Sequence, residues 1–433
     1  MRSENHLRRK TLSLFCIASL FLACSSFGQS QTETFRLASV KITGLSSFDA
    51  TQVVSASGLH SNQSITLQDI QAAVQRLAQP GFFESVKYRY SYDSGKMDLE
   101  FQVVETKKLL PCIFNNFVWF NDNEILNAMR ARMPMFSGRI PEVGTALQDV
   151  TRALQDLLRA RNIAGAVTTM LYQEHQGAPL QCLFQVSGVD LPIRKLEFPG
   201  SKAVPEPELQ EKAKPLLGQQ YSRTLAQKFA RETLAQLFRK KGYLRMRFKD
   251  VALRIEDESA SATGITVILE PDEGLEYTWS NALWTGDSGL LHEDLNLIMR
   301  LKTGDIADGI QIDEGLAAIE RHFGKYGYIE AQTKATPDFN DADRTVTYNI
   351  QVDAGPQYRM GSLIFKGVQE QVAKRLESLW RLRAGDIFDV SYANEFPKKD
   401  AKEEIAKIRP KQIIMTMTAD REHLLENVTF EFK

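Results

Sequence analysis

The residues best equipped for chemistry in this chain are its six histidines and four cysteines. His6, His60, His175, His292, His322 and His423 lie far apart, with no HExxH string and no paired spacing that would bring two imidazoles to one metal. His292-Glu293-Asp294 opens a predicted helix, where acidic residues favour the positive end of the dipole rather than an ion. Gly324-Lys325-Tyr326-Gly327 closes a helical run instead of opening one, so it is not a phosphate cradle. No nucleophile elbow, Walker A or dinucleotide string occurs. Glu403-Glu404 sits on a charge-rich helix, and Arg239-Lys240-Lys241 falls in a last helical turn, where basic residues are favoured. There is no catalytic, cofactor-binding or metal-binding set, and the sequence reads as a protein that is not an enzyme.

Bulk properties narrow the class further. A chain of 433 residues exceeds one core, and 43% apolar with 25% charged residues is an ordinary globular composition. Fifty-three basic against 54 acidic residues argue against a nucleic-acid binder, which shows a basic excess. Four cysteines exclude a disulfide-dense scaffold. At the N-terminus Arg2, Arg8, Arg9 and Lys10 precede the apolar run Thr11 to Ala23, the pattern of an export signal over residues 1–28. Small residues at Ser26-Phe27-Gly28 suit cleavage before Gln29. Alternatively Phe21-Leu22-Ala23-Cys24 resembles a lipobox, with the signal ending at 23 and Cys24 the lipidation site. An uncleaved anchor is the third reading. In either main route the protein is exported, then soluble or tethered by lipid alone.

The strongest signal is internal repetition. Segments beginning at Val40, Cys112, Leu196, Ala282 and Leu363 align without a gap. In each, the first and third positions are apolar or Cys, as on the buried face of a strand. The fifth is Gly44, Asn116, Gly200, Gly286 or Gly367, residue types that tolerate positive φ at a tight turn. A second block, clearest as RLKTGDIAD at Arg300 and RLRAGDIFD at Arg381, follows a first helix; Gly218, Gly304 and Gly385 read as its closing residues. A second helix is capped by Thr66 in the first copy and carries Leu67, Ile70, Val74 and Leu77 at helical spacing. It stops at Pro80-Gly81-Phe82, Lys241-Gly242-Tyr243 and Tyr326-Gly327-Tyr328, before two alternating strands. The predicted fold class is α+β: five tandem β-α-α-β-β domains, each a three-stranded mixed sheet with two helices on one face.

The hydrophobic-x-hydrophobic-x-Gly strand end, the Gly-Asp-Ile before the second helix and the Gly-aromatic before the second strand make the unit resemble the POTRA domain. This is the polypeptide-transport-associated module of outer-membrane assembly factors of the BamA and TamA family. The resemblance spans 34–106, 107–189, 190–273, 274–356 and 357–433. It departs at Arg161-Asn162-Ile163-Ala164 and Arg409-Pro410-Lys411, where the Gly-aromatic is missing, and the array is expected to lack the family's membrane barrel. In POTRA-like sheets the first and third strands are neighbours, which would place Cys112 and Cys182 on one face as a candidate disulfide or as two buried thiols. The second strand is an open edge, able to accept an extended chain as an added strand. The best candidates are Val86, Tyr88 and Tyr90 in the first copy, and Leu244, Met246 and Phe248 in the third.

The resemblance implies a periplasmic polypeptide-binding array, associated with the outer membrane and acting in outer-membrane protein assembly or transport. Its expected partners are unfolded outer-membrane protein precursors, a separate β-barrel or an assembly-complex subunit. It implies no cofactor and no nucleic acid, and membrane contact only through a partner or a lipid anchor. The alternative is a structural spacer that binds fixed partner subunits across the periplasm.

Overall fold

Alternating apolar residues form the strands, and capped amphipathic runs form the helices between them. The computed structural model describes residues 33–256, 264–286 and 292–433; the expected export signal and Cys24 lie outside the described residues. The chain divides into two compact units, one running to Leu109 and including Arg130–Asp149, the other holding Leu110–Met129 and Val150–Lys433.

One element order recurs. The first repeat contains β1 (Phe35–Thr43), α1 (Ala50–Ser57), β2 (Ser64–Ile65), α2 (Leu67–Ala78), β3 (Phe83–Asp93) and β4 (Lys96–Glu105). The second has β5 (Leu109–Phe114), α3 (Asp122–Arg132), β6 (Arg139–Pro141), α4 (Ala146–Ala160), β7 (Ala166–Tyr172) and β8 (Gln181–Ser187). The third begins with β9 (Ile193–Glu197) and α5 (Glu206–Ala213). Its second helix is α6 (Arg223–Phe229), a π-helical turn Ala230–Leu234 and α7 (Ala235–Arg239). Four short strands complete it: β10 (Arg247–Phe248), β11 (Ala252–Ile255), β12 (Ile265–Ile268) and β13 (Pro271–Asp272). The fourth comprises β14 (Thr278–Thr285), α8 (His292–Met299), α9 (Gly309–Gly324), β15 (Gln332–Asn340) and β16 (Thr345–Asp353). The fifth comprises β17 (Arg359–Lys366), α10 (Glu370–Leu379), α11 (Val390–Glu395), α12 (Lys402–Ile408), β18 (Ile413–Asp420) and β19 (Leu425–Phe432).

Each repeat's main sheet is mixed, and in the third repeat β10 and β13 form a separate antiparallel pair. The first strand of a repeat runs parallel to the central strand and the outer one pairs antiparallel to it, as in the order β1-β4-β3, β9-β12-β11 or β17-β19-β18. One sheet face carries the core: Met97, Leu99, Phe101 and Val103 alternate inward on β4, as do Val346, Tyr348, Ile350 and Val352 on β16. Helix starts are capped as their sequences dictate. Thr66 and Asp69 form a reciprocal capping box on α2, while Asp308 and Asp389 accept from first-turn amides of α9 and α11.

Gly304 and Gly385 are not helix caps but lie several residues beyond the first helix, whereas Gly218, at φ +79°, follows the 3-10 turn Lys214–Leu216 that prolongs α5. The amides of Gly218, Gly304 and Gly385 donate to the carbonyls of Ile193, Trp279 and Met360 at 2.8, 2.8 and 2.7 Å. Each glycine therefore pins its loop to the start of the repeat's own first strand, the place β2 takes beside β1 in the first repeat. Asn116 also differs from expectation. It bonds Val186 through its side chain, donating to the carbonyl at 2.9 Å and accepting from the amide at 2.7 Å. A carboxylate does similar work in the first repeat. Glu105 accepts from both the amides and hydroxyls of Ser46 and Ser47. Burial works to raise its pKa, but these hydrogen bonds outweigh burial and hold the carboxyl at about 2.

The fourth and fifth repeats each meet the preceding one at the left-handed glycine after its second helix. Tyr277 donates its amide to the Gly242 carbonyl at 3.0 Å, and Tyr358 to that of Gly327 at 2.8 Å. A Cβ on Gly327 would lie 2.5 Å from the Tyr358 carbonyl oxygen, so φ of +84° and the close approach both demand glycine. Where the Gly-aromatic is missing, Asn162 and Arg409 keep the left-handed turn at φ 56° and 51°. There the third repeat docks differently: Ser222 and the Thr224 amide donate to Asn115 Oδ1, and Arg223 pairs with Asp122 at 2.9 Å.

Two outcomes follow. Gly327→Ala should lose about 1–2 kcal/mol from the left-handed backbone alone, with amide exchange accelerated at Tyr358. Gly304→Ala, whose methyl meets open space, should strain its loop without that acceleration, and equal exchange at Tyr358 in both variants would contradict the seam. Glu105→Gln should lower stability by about 1–3 kcal/mol. Because the folded pKa is depressed, this contribution is present above the ordinary value of 4.5 and is lost as pH falls towards about 2. Denaturant midpoints measured across that range test it.

Candidate functional site

The first repeat ends in an open strand. β3 is 11 residues long and pairs on one side only, with β4. Asp93 and Lys96 close a hairpin through Ser94 and Gly95, both at positive φ, and the closing pair of a two-residue hairpin is hydrogen-bonded. Alternating back along the strand, Arg89 and Lys87 spend their amides on β4. The amides of Val86, Tyr88, Tyr90 and Tyr92 point to the open edge.

The side chains divide the same way. Tyr88, Tyr90 and Tyr92 lie opposite Phe101, Leu99 and Met97, so they share the core face, yet they are 38%, 48% and 57% exposed. The three rings form a ledge beside the core, with Tyr92 held edge-on to Phe35 at 5.6 Å. Val86 is half-buried at the α2 end. On the opposite face Arg89 pairs with Glu100 at 2.8 Å, and this hydrogen bond lowers the pKa of the Glu100 carboxyl. An incoming antiparallel chain would find alternate backbone donors and acceptors on this edge and an aromatic shelf beneath it. Tyr92 extends the ladder beyond the residues singled out from sequence; its place in the same alternation was the available signal.

The third repeat is arranged differently from the sequence expectation. Leu244 lies in the turn after Gly242 and packs into the fourth repeat's core, while Met246 and Phe248 pack against their own. Only Arg247 and Phe248 are strand, paired with Asp272 and Pro271, and β11 is the outer strand of that repeat's main sheet. The physical reason is competition: these apolar side chains gain more from two adjacent cores than from an edge. Met246, Phe248, Ala230 and Ala235 instead line a groove of about 400 Å³ beside the π-helical turn. The outer strands β15 and β18, which sequence reasoning did not select, also end their sheets; β15 carries Pro337.

Cys112 and Cys182 face each other in register on the parallel strands β5 and β8, as free thiols. Burial pushes the Cys182 thiol up to about 11, and burial followed by the neighbouring Cys182 pushes Cys112 up as well. Adjacent strands lie about 4.8 Å apart, wider than the Cβ separation of about 3.8 Å that a disulfide prefers. Among the described residues no group of three or more His, Cys, Asp or Glu side chains is placed to hold a metal. No helix among them is long and apolar enough to cross a membrane.

Residues 35–106 and 277–355 match the family model POTRA, described as a surface antigen variable number repeat. The first and fourth repeats thus each carry a POTRA match, and the chain resembles a POTRA array. A protein of Treponema pallidum (strain Nichols) named as an outer membrane protein assembly factor is 23% identical over 227 residues, 50% of this chain and 26% of its own length. The match thus spans about a quarter of that relative. Among solved structures, POTRA3-5 of Haemophilus influenzae BamA is 19% identical, with 56% of this chain and 96% of that one covered at a TM-score of 0.45. POTRA1-3 of Omp85 from Anabaena is 11% identical, with 74% and 96% covered at 0.20.

The POTRA ledge can be separated from the POTRA core by mutation. Tyr90→Ser, on an exposed ring, should change stability by less than about 0.5 kcal/mol. Phe101→Ala, directly beneath the ledge, should cost about 3–5 kcal/mol. Urea denaturation of the two variants checks the assignment; a loss of core size in Tyr90→Ser would make the ledge structural.

Proposed function

We propose that this chain is a periplasmic, outer-membrane-associated POTRA array that binds extended polypeptides by strand addition during outer-membrane protein assembly or transport. The proposed modules are 34–106, 107–189, 190–273, 274–356 and 357–433. The clients are unfolded outer-membrane protein precursors, with a separate β-barrel or assembly-complex subunit as fixed partner. Any membrane contact is made through that partner or through lipid on Cys24. In this reading the chain is not an enzyme.

The observation that carries it is the open β3 edge with three exposed tyrosines. Backbone pairing tolerates many sequences, and aromatic rings add moderate affinity without demanding one partner, which suits transient handling of many strands. The name of the Treponema pallidum relative supports the process. Favouring the spacer alternative are the backbone hydrogen bonds at Gly242 and Gly327, which fasten adjacent repeats closely.

The test must remove a backbone donor from the open edge and leave the ladder to β4 intact. Arg89→Pro is unsuitable, since its amide faces β4. Tyr90→Pro removes an outward donor, and Tyr90→Ala removes only the ring. With a fluorescent peptide of about ten residues alternating apolar and polar, as in barrel strands, Tyr90→Ala should weaken binding. Tyr90→Pro should weaken it about 2–10-fold further, the equivalent of one hydrogen bond. Equal affinity for the two folded variants would exclude strand addition at β3, and the spacer reading would then lead.

A further inference from the structure

The third and fourth joints of the array use the same positions, and one carboxyl distinguishes them. Where repeat four docks on repeat three, Tyr277 packs on Phe339 at 4.7 Å and donates its hydroxyl to Asp341 at 2.6 Å. Arg245 pairs with Asp341 at 3.0 Å. Val346 lies in register between Phe339 and Trp279 and completes an apolar core. Where repeat five docks on repeat four, strand register puts Ala419 in place of Phe339, Met360 in place of Trp279 and Glu426 in place of Val346. Tyr358 stands for Tyr277, and the ion pair is Arg421 with Glu330 at 2.8 Å.

A carboxyl thus occupies a core position that valine fills one repeat earlier. Glu426 is only 2% exposed, and its Oε2 has no hydrogen-bond partner among the described residues. The hydroxyl of Tyr358, beside Glu330 and Arg421, is likewise buried and makes no hydrogen bond of good geometry among the described residues. Burial, and after it the charge on Glu330, push the Glu426 carboxyl up to about 7. The surrounding charges are otherwise engaged. Arg421 is held by Glu330, His423 and Asp420 bond each other in the β18–β19 turn, and Arg359 on β17 donates to the Gly385 carbonyl. On the helical side Glu404 is held by Arg375 and Lys407. Among the described residues, no cation forms an ion pair with Glu426.

Glu330 and Ile329 belong to repeat four, and Ile329 packs against the core that holds Glu426. Parting the two repeats would remove the Glu330 charge and admit water. We propose that the joint between the fourth and fifth repeats is gated by a proton: closed while Glu426 carries one, loosened when Glu426 ionises beside Glu330. The closed joint holds the proton more tightly than the open one. Closure is therefore strongest at pH below the ordinary value of 4.5 and weakens as pH rises from there to about 7. Full return to the ordinary value would change the opening equilibrium by up to about 300-fold.

Amide exchange of the full chain, corrected for intrinsic rates and compared between about pH 5.5 and about pH 8, reads this directly. Opening at Tyr358 should rise at least about tenfold, while Tyr277 at the preceding joint stays level. Glu426→Gln should flatten the response, and Glu426→Val, which restores the residue type of repeat four, should also tighten the joint at both pH values. An equal response at both joints, or one that survives in Glu426→Gln, overturns the proposal. The wild-type contrast between joints decides even where a variant fails to fold.

Discussion

The contact between a left-handed glycine and the backbone of the following repeat is the constraint on which the fourth and fifth repeats rest. A repeat of this size buries a small core, so its neighbours must add to it. Leu244 enters the core of repeat four, and Ile329 enters that of repeat five. Both follow directly on the glycine that ends the preceding helix. The chain must reverse there within two or three residues while its carbonyl still accepts from the next repeat. Only a residue without Cβ allows both, because a methyl at Gly242 or Gly327 would overlap the tyrosine carbonyl. Asn162 provides the turn without the close approach, and the second joint among these repeats accordingly relies on Asn115 and an ion pair.

The open edge follows from the same topology. Because each main sheet is centred on a strand flanked by the parallel first strand and an antiparallel neighbour, that neighbour must lie outermost. Such edges risk pairing with copies of themselves. On β3 the interleaved Lys87 and Arg89 oppose that, since antiparallel self-pairing centred on Tyr88 would set these two cations against each other. The edge is thus biased against its own copies while its backbone stays accessible. That combination distinguishes it from the third repeat, where the apolar side chains of the same segment are consumed by two cores.

Much of this was legible in sequence because the local signals agree with one another. Thr66 with Asp69 specifies a helix start, Ser94-Gly95 a hairpin, and Val86-Tyr88-Tyr90 a strand beside a helix. The failures share one cause, in that the deciding partner lies in a different element. Tyr243 to Phe248 alternates like a strand, but the turn at Gly242 sends Leu244 to the next repeat. Gly304 and Gly385 look like helix caps, yet their amides serve the first strand. Glu426 was invisible for a related reason. A glutamate next to a predicted turn carries no core signal, whereas pairing with Met360 and Ala419 draws Glu426 into the core.

The two matched joints also carry opposite ion pairs. Arg245 on repeat three meets Asp341 on repeat four, while Glu330 on repeat four meets Arg421 on repeat five. All four side chains are solvated, so neither pair contributes much to stability. Their arrangement matters for order instead. If repeat five were to dock on repeat three, Arg421 would face Arg245; repeat four docked on a second copy of itself would bring Asp341 against Glu330. Each mispairing sets like charges together at a position where the correct neighbour supplies the opposite charge. In a chain of similar modules joined by the same glycine contact, this alternation favours the correct neighbour over a near copy.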